Sequence, residues 1–436
     1  MRLVLLCGGS GTRLRPLSND IRSKLFLDLL PAPGGGRESM IRRLCRQLEE
    51  AGMLSSALFV VRADQTAMLR RRIGESGLVI PEPARRGTWP AAALAASYLH
   101  SALAVRPDEI VCIMPADPLV DASFFHAISR LPEALKRTDA KLAMIGAAPK
   151  HPSDQLGYIV PDGPLEPDGR AAVRRFVEKP AAAEAERLIR AGALWNCGVY
   201  AFRLDYLLRA MAERGLPGDY GRLQELYGRL DADSFDREIA EREPDAVVLR
   251  HDGLWRDLGN WAALAGELGA PVIGPGTITG DAQGSQIVNE LHIPIHVVGV
   301  PRIIAAAGPD GILVADLKES GRLRDLPWPK GRPMYGEYAW GIRRVIHADA
   351  SEGGRTIALA KLVPGAVRRM PEEAAGSLLI AAIAGEGELL RRDGSAAALR
   401  PGLAAFMEGG EPFALRTDSG MELIEVHVGG PAHMLE

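Results

Sequence analysis

The chain reads as an α/β domain with a mainly parallel sheet, followed by a small β region and a last β domain. Three observations predict this. From residue 1 to about 268, apolar strand-length runs alternate with amphipathic helical stretches. From about 271 to 329, short apolar pieces such as Ile295-His296-Val297-Val298 are separated by Gly, Pro and Asp. Beyond 338, many short strand-like pieces are punctuated by turns at Pro364-Gly365, Asp393-Gly394 and Pro401-Gly402, the texture of a small sandwich or barrel. The expected domains are therefore 1–268, 269–330 and 331–436.

The first element is a strand. Arg2-Leu3-Val4-Leu5-Leu6-Cys7 is short and mostly apolar, as a strand buried on both faces should be. Gly8-Gly9-Ser10-Gly11-Thr12 follows at once. Its three glycines let the backbone approach a ligand and aim successive N–H groups at one point, a nest suited to phosphate. Arg13 and Arg15 add multi-donor cations, and Lys24 follows a loop opened by Pro16 and Ser18-Asn19-Asp20. A Walker loop is excluded because Thr12-Arg13, not Lys-Ser/Thr, follows Gly11. A dinucleotide fingerprint is excluded because Leu14 stands where its third glycine belongs. Further along, the periodicity predicts helices over 39–51, 64–75, 90–104 and 181–191, and strands over 58–61, 110–114, 142–147 and 199–202. The glycine loop, Pro115-Ala116-Asp117 and Asn196-Cys197-Gly198 all fall at or beside strand ends. Open α/β sheets bind ligands there, so one cleft can collect them.

Composition sets the class. With 436 residues the chain can bury a full core, and 25% charged residues is ordinary for a soluble globular protein. A net charge of -3 gives no electrostatic case for nucleic acid or an anionic membrane. Cys7, Cys45, Cys112 and Cys197 form no CxxC pair, so buried thiols in a reducing compartment are expected rather than disulfides or zinc. No signal peptide is read before the first strand, and no apolar run approaches the ~20 residues of a membrane helix. The expectation is a cytoplasmic protein, with homo-oligomerisation left open.

The string Gly-Gly-Ser-Gly-Thr-Arg-Leu-x-Pro-Leu-Ser at Gly8–Ser18 resembles the signature of the sugar-1-phosphate nucleotidyltransferases, and within them the mannose-1-phosphate guanylyltransferases. More boxes agree in order over residues 1 to about 330. They are Glu82-Pro83-Ala84-Arg85-Arg86-Gly87-Thr88-Trp89-Pro90-Ala91, Ile113-Met114-Pro115-Ala116-Asp117, Gly157-Tyr158-Ile159, Phe176-Val177-Glu178-Lys179-Pro180, Trp195-Asn196-Cys197-Gly198 and Trp255-Arg256-Asp257-Leu258-Gly259-Asn260-Trp261.

The resemblance implies a Rossmann-like nucleotidyltransferase domain and then a short β-helix-like segment. It implies GTP and mannose-1-phosphate as substrates, Mg²⁺ as cofactor, and GDP-mannose and pyrophosphate as products. Nucleotide contacts are implied for Leu6, Gly8, Gly9, Ser10, Gly11, Thr12, Arg13, Lys24, Glu82, Thr88 and Pro90. Sugar-phosphate contacts are implied for Gly157, Tyr158, Glu178, Lys179 and Asn196. Asp117 and Asp257 would hold the metal, and Arg13, Lys24, Asp117, Lys179 and Asp257 form the catalytic set. The reaction needs positioning and charge neutralisation and no covalent nucleophile.

Besides Pro118, which stands where a His often follows the metal Asp, four positions depart from the family pattern: Arg15 for Trp, Ser23 for Pro, Leu25 for Gln and Gly87 for Asn. They bear on the choice of nucleotide and sugar, and they are the one support for a weakly catalytic nucleotide-sugar sensor as an alternative. The last domain resembles the cupin-type domain of bifunctional guanylyltransferase/phosphomannose isomerases. Where the metal-binding histidines belong it has Val367-Arg368-Arg369-Met370, and His347, His427 and His433 are scattered. A structural, oligomerising or regulatory role is expected there, without isomerase chemistry.

Overall fold

The computed structural model describes residues 1–9, 11–74, 76–326, 328, 333–349, 354–370, 376–408 and 412–429. Ser10 and His433 lie outside these. The chain forms two compact units. One comprises Met1–Gly9 and Asp28–Leu258, the other Ser10–Leu27 and Gly259–Glu436.

The first unit is built on a nine-stranded sheet. Its order is Leu78–Glu82, Ala57–Arg62, Arg2–Leu6, Ile110–Pro115, Leu194–Arg203, Leu142–Ala147, Ala246–His251, Arg170–Val177, Tyr158–Pro161. The first four strands run parallel, with Leu6 opposite both Val60 and Pro115. Leu194–Arg203 then enters antiparallel to both its neighbours, so the sheet is mixed from there on. All four cysteines are buried free thiols.

The predicted helices form as Met40–Glu50, Thr66–Ile73, Thr88–Ser97 and Ala182–Arg190. Met40–Glu50 has one apolar face (Met40, Ile41, Leu44, Cys45, Leu48), and Ser39 caps it by accepting from the Arg42 N–H. Thr88–Ser97 is buried from Trp89 through Ser97. Its run of alanines suits a helix packed on every side. Residues 98–102 continue it as one π turn, so the expected span to 104 ends in a change of pitch. The longest helix, Ala122–Thr138, is absent from the expected set. Pro132 in its middle interrupts the pattern by which helices are read.

In the second unit, Val272–Ile273, Gln286–Asn289 and Ile303–Gly308 stack in parallel, and Gly276–Ile278 pairs in parallel with Ile295–Val297. This is a short β-helical solenoid around Ala282, Ile287, Val297 and Ala305. Gly311–Asp316 closes it antiparallel to Ile303–Gly308.

The last domain has two antiparallel sheets, the cupin-like arrangement the sequence predicts. The larger runs Tyr335–Tyr338, Gly341–Ala348, Arg355–Leu362, Met421–Val428, Ser377–Gly385, Ala404–Met407. The smaller runs Val367–Met370, Phe413–Arg416, Gly387–Arg391, Ala396–Leu399. The inward residues of Met421–Val428 change character along the strand, from Met421 and Leu423 to Glu425 and His427. At the polar end Arg368 reaches across from the smaller sheet to both oxygens of Glu425, and stacks its guanidinium 4.2 Å from the Trp340 ring. Arg343 Nε donates to Glu425 Oε2 at 3.1 Å. Among the described residues, no helix is long and apolar enough to cross a membrane.

Candidate active site

In the first unit the predicted residues gather in three places. The first is the carboxyl end of the central strands. After Arg2–Leu6 the chain stays in register for one more bond, Cys7 N–H to the Val60 carbonyl at 2.8 Å, and then breaks away at Gly8. A Cβ on Gly8 would stand 3.1 Å from Glu82 Oε2. The turn passes close against this side chain, and any larger residue at position 8 would press on it. Glu82 ends its own strand and is buried, and Oε1 accepts from the Tyr227 hydroxyl at 2.8 Å. Burial pushes its carboxyl pKa up, against the opposing pull of that hydroxyl and of a backbone N–H at Arg86.

Thr88 starts its helix, and its Oγ1 accepts from the Phe235 N–H at 2.8 Å. Pro90 is the third residue of that helix, where a missing N–H costs no intrahelical bond. Gly87 before it has φ 90° and ψ -179°, a region open essentially to glycine, and a Cβ would fall 2.2 Å from the Asp233 carbonyl oxygen. Gly87 thus has a packing reason, since the backbone passes directly against residue 233.

The second place holds the two aspartates. Asp117 follows the strand Ile110–Pro115, whose end is tied back by the Ala116 N–H to the Leu6 carbonyl at 3.1 Å. The next residues, Pro118–Val120, pair antiparallel with Trp255–Asp257, and Asp257 is the register partner of Pro118. Two residues 140 apart in sequence are thus brought to adjoining positions by one two-stranded ribbon. Asp117 is half-buried and Asp257 exposed.

The third place collects the predicted sugar-side residues. Tyr158–Pro161 pairs on one side with Arg170–Val177 and on the other with Leu194–Arg203. Gly157, Glu178 and Asn196 therefore stand at neighbouring strand ends. A Cβ on Gly157 would come 2.7 Å from Glu178 Oε2 and 3.3 Å from the Asn196 Cβ, so a larger residue would force Glu178 to move. The register of Leu194–Arg203 shifts between Asn196 and Tyr200, around Gly198 at φ 71°. This bulge turns both side chains to one partner. Asn196 Nδ2 donates to the Tyr200 hydroxyl (2.6 Å) and to Asp236 Oδ1 (2.9 Å), while Asn196 Oδ1 accepts from the Gly198 N–H (2.9 Å). The Tyr200 hydroxyl also donates to Asp236.

Lys179 Nζ bonds Glu178 Oε1, and Glu241 Oε1 accepts from the Glu178 N–H at 2.8 Å. Lys179 has φ 46°, an uncommon conformation for a residue with a Cβ, and it precedes Pro180. Burial first, and then the negative charge of Asp236, push the Glu178 carboxyl pKa up. The Tyr158 hydroxyl is engaged with the backbone of Ser153, accepting at 2.8 Å and donating at 3.1 Å. This leaves Tyr158 to shape the site by its backbone and ring.

Sequence reasoning missed Tyr200, Asp236 and Glu241. Gly198 two residues after Asn196 inside a strand was a readable sign of the bulge that delivers Tyr200. Asp236 and Glu241 had none, since they sit in a stretch of scattered acidic residues with no period.

The second unit carries the rest of the signature loop. Gly11, at φ 61°, caps the 3-10 turn Thr12–Leu14. A Cβ there would meet the Lys24 backbone N at 2.8 Å, so the two ends of the loop close on each other. Lys24 is buried at the start of the turn Lys24–Phe26. Arg13 is half-buried. Arg15 stacks over the Trp328 ring at 5.4 Å and lies 3.6 Å from Asp20, while its carbonyl accepts from Trp261 Nε1 at 3.1 Å.

A family model described as nucleotidyl transferase matches residues 2–267. A Vibrio cholerae protein named "Putative mannose-1-phosphate guanylyltransferase" is 30% identical over 80% of this chain and 79% of its own length. The xanthan biosynthesis protein XanB of Xanthomonas campestris is 30% identical over 60% of this chain and 58% of its own length. A crystal structure described as a mannose-1-phosphate geranyltransferase from Thermus thermophilus superimposes with a TM-score of 0.62 at 27% identity, over 74% of this chain and 97% of that one. The matched span holds every strand end described above and more than half of the sequence, and the chain belongs to the nucleotidyl transferase family.

Proposed function

We propose that this nucleotidyltransferase is a Mg²⁺-dependent mannose-1-phosphate guanylyltransferase, releasing GDP-mannose and pyrophosphate. The observation that carries the reading is the pairing of Asp257 with Pro118, the residue after Asp117. Asp117 and Asp257, carboxylates from neighbouring strand ends, would hold Mg²⁺ as hard oxygen donors of the kind it takes. Bound there, the ion neutralises phosphate charge. Among the described residues no group of three or more His, Cys, Asp or Glu could by itself hold a metal ion.

The remaining roles follow from the chain's own groups. Backbone N–H groups of Gly8, Gly9, Ser10, Gly11 and Thr12, with Leu6, Thr88 and Pro90 alongside, receive the nucleotide. Glu82, a buried carboxylate, is an acceptor suited to the paired N–H donors of guanine. Arg13 and Lys24 offset the charge that grows on the α-phosphate and the leaving pyrophosphate. Glu178 and Asn196 hold sugar hydroxyls beside Gly157 and Tyr158, and Lys179 steers the sugar phosphate to attack the α-phosphorus in line. We assign this chemistry to residues 1–268, with 269–330 as a supporting β segment and 331–436 as a structural or regulatory domain.

The test is pyrophosphate release with mannose-1-phosphate, Mg²⁺ and each NTP in turn. Release with GTP, lost by a factor of about 10³ or more in Asp117→Ala, is expected from removal of a metal ligand. Release with another NTP or sugar phosphate moves the substrate and keeps the chemistry. Binding without release for any pair overturns the reading in favour of a sensor.

A further inference from the structure

The segment 18–23, just before Lys24, is fastened more heavily than any role assigned so far requires. Arg22 is 7% exposed and forms a parallel two-point bridge to Glu290, Nη1 to Oε2 and Nη2 to Oε1, each 2.9 Å. Its guanidinium lies 4.9 Å from the centre of the Tyr335 ring, and its Nε is 3.8 Å from Glu337 Oε1. Asn19 makes the second fastening. Its Oδ1 accepts from the Ile21 and Arg22 N–H groups at 2.9 and 2.7 Å, which fixes the turn. Its Nδ2 donates to Asp310 Oδ2 at 2.7 Å and to the Tyr335 carbonyl at 3.0 Å. Asp310 in turn accepts from the Met334 N–H.

These partners come from three separate places in the same unit. Glu290 follows a coil strand of the solenoid. Asp310 is at the tip of its closing hairpin. Tyr335 and Glu337 belong to the first strand of the cupin-like domain.

What this fastening holds is Lys24. Ser23 separates the two, and its Oγ is buried with no hydrogen-bond partner among the described residues, so it contributes no anchor of its own. On the other side Leu25 and Phe26 are buried, and Gly11 closes over the Lys24 backbone. An ammonium sits at the end of a flexible four-carbon stem, so the course of the backbone beneath it decides where it can reach. A bidentate guanidinium–carboxylate pair, desolvated and stacked on an aromatic ring, has one geometry. We infer that Arg22 and Asn19 are positioning residues that set the Lys24 ammonium for the transferred nucleotide's phosphates, using the solenoid and the first cupin-domain strand as a fixed frame.

This inference rests on the proposed role of Lys24, so the experiment tests both. Turnover and KM for GTP and for mannose-1-phosphate are measured on the full chain as wild type, Lys24→Ala, Arg22→Gln and Lys24→Ala/Arg22→Gln. Misplacement of a charged group by about 1 Å costs on the order of 100-fold. A loss of roughly 10- to 100-fold in kcat/KM for GTP is expected for Arg22→Gln, with KM for mannose-1-phosphate little changed. In the Lys24→Ala background the same substitution should add less than about threefold, because nothing remains to position.

Equal losses in both backgrounds mean a merely structural role and overturn the inference alone. Full turnover in Lys24→Ala overturns the assigned role of Lys24 and the inference with it. Should Arg22→Gln fail to fold, Arg22→Lys keeps the charge and loses the two-point geometry. It is expected to show the same non-additivity at smaller amplitude, and additive losses there count against the inference equally.

Discussion

Glu178 and Glu425 are both buried carboxylates, and their surroundings push them in opposite directions. Glu178 loses solvent and faces the negative charge of Asp236, with one lysine beside it, and its pKa rises. Glu425 loses solvent too, but Arg368, His427 and Arg343 more than compensate, and its pKa falls far below the usual carboxylate range. In the first arrangement burial and a like charge disfavour the ionised carboxyl, and Lys179 offsets this only in part. The second satisfies its carboxylate internally, as a permanent part of the cupin-like domain. On the proposed function, the contrast separates a carboxylate offered to a ligand from one committed to its own domain.

The largest effect should come from breaking the satisfied side. Glu425→Gln leaves two buried guanidinium groups without their counter-charge, and about 3–5 kcal/mol of stability should be lost. Urea unfolding followed by the tryptophans of the chain reads it. Arg343→Met/Arg368→Met/Glu425→Leu should recover much of that loss, since apolar side chains of similar volume leave no desolvated charge.

Acid should also divide the two regions. Because the folded pKa of Glu425 lies below its unfolded value of about 4.3, its stabilisation is present above that value and declines as pH falls below about 5. Glu178 has the opposite sign, with stability decreasing as pH rises through and beyond about 4.3. Glu178→Gln should therefore leave the unfolding midpoint at pH 7 unchanged or slightly higher. It should also raise KM for the sugar phosphate about 10-fold, the worth of one charged hydrogen bond. A fall in midpoint together with unchanged KM would erase the distinction drawn here.

The smallest effect is expected from Asp236→Asn. Without that charge the Glu178 pKa drops, and the acid limb of the pH profile of kcat/KM should move to lower pH while kcat at neutral pH changes little.

What the sequence reveals of this site follows how local the signal is. The strand into the glycine turn, the Asp117 strand end and the Glu178-Lys179-Pro180 box are contiguous, and each is readable from its own neighbours. The parallel half of the sheet is readable for the same reason. The antiparallel entry of Leu194–Arg203 is not, because the direction of a strand depends on the path between strands, not on its own residues.

In the sequence, Gly87 is a change near the nucleotide. The structure adds that its φ and its approach to the Asp233 carbonyl exclude any side chain, a constraint set 146 residues away. Ala122–Thr138 is hidden by Pro132 although Asp121 caps its start. Asp236 is hidden because a lone acid among acids has no pattern, and only the bulge at Gly198 shows what it faces.

The bridge from Arg22 to Glu290 spans 268 positions of sequence. A ribosome adds about 5–20 residues per second, so the two partners are made roughly 15–50 s apart. The stretch carrying Arg13 and Lys24 is thus among the first to be synthesised and must wait for its anchors until the chain is two-thirds complete. A nascent protein interrupted before the solenoid would have the central strands and both aspartates, yet the Arg22 beside Lys24 would lack its bridge to Glu290. If Lys24 acts as proposed, activity waits until translation has passed the point at which the anchoring coils can fold.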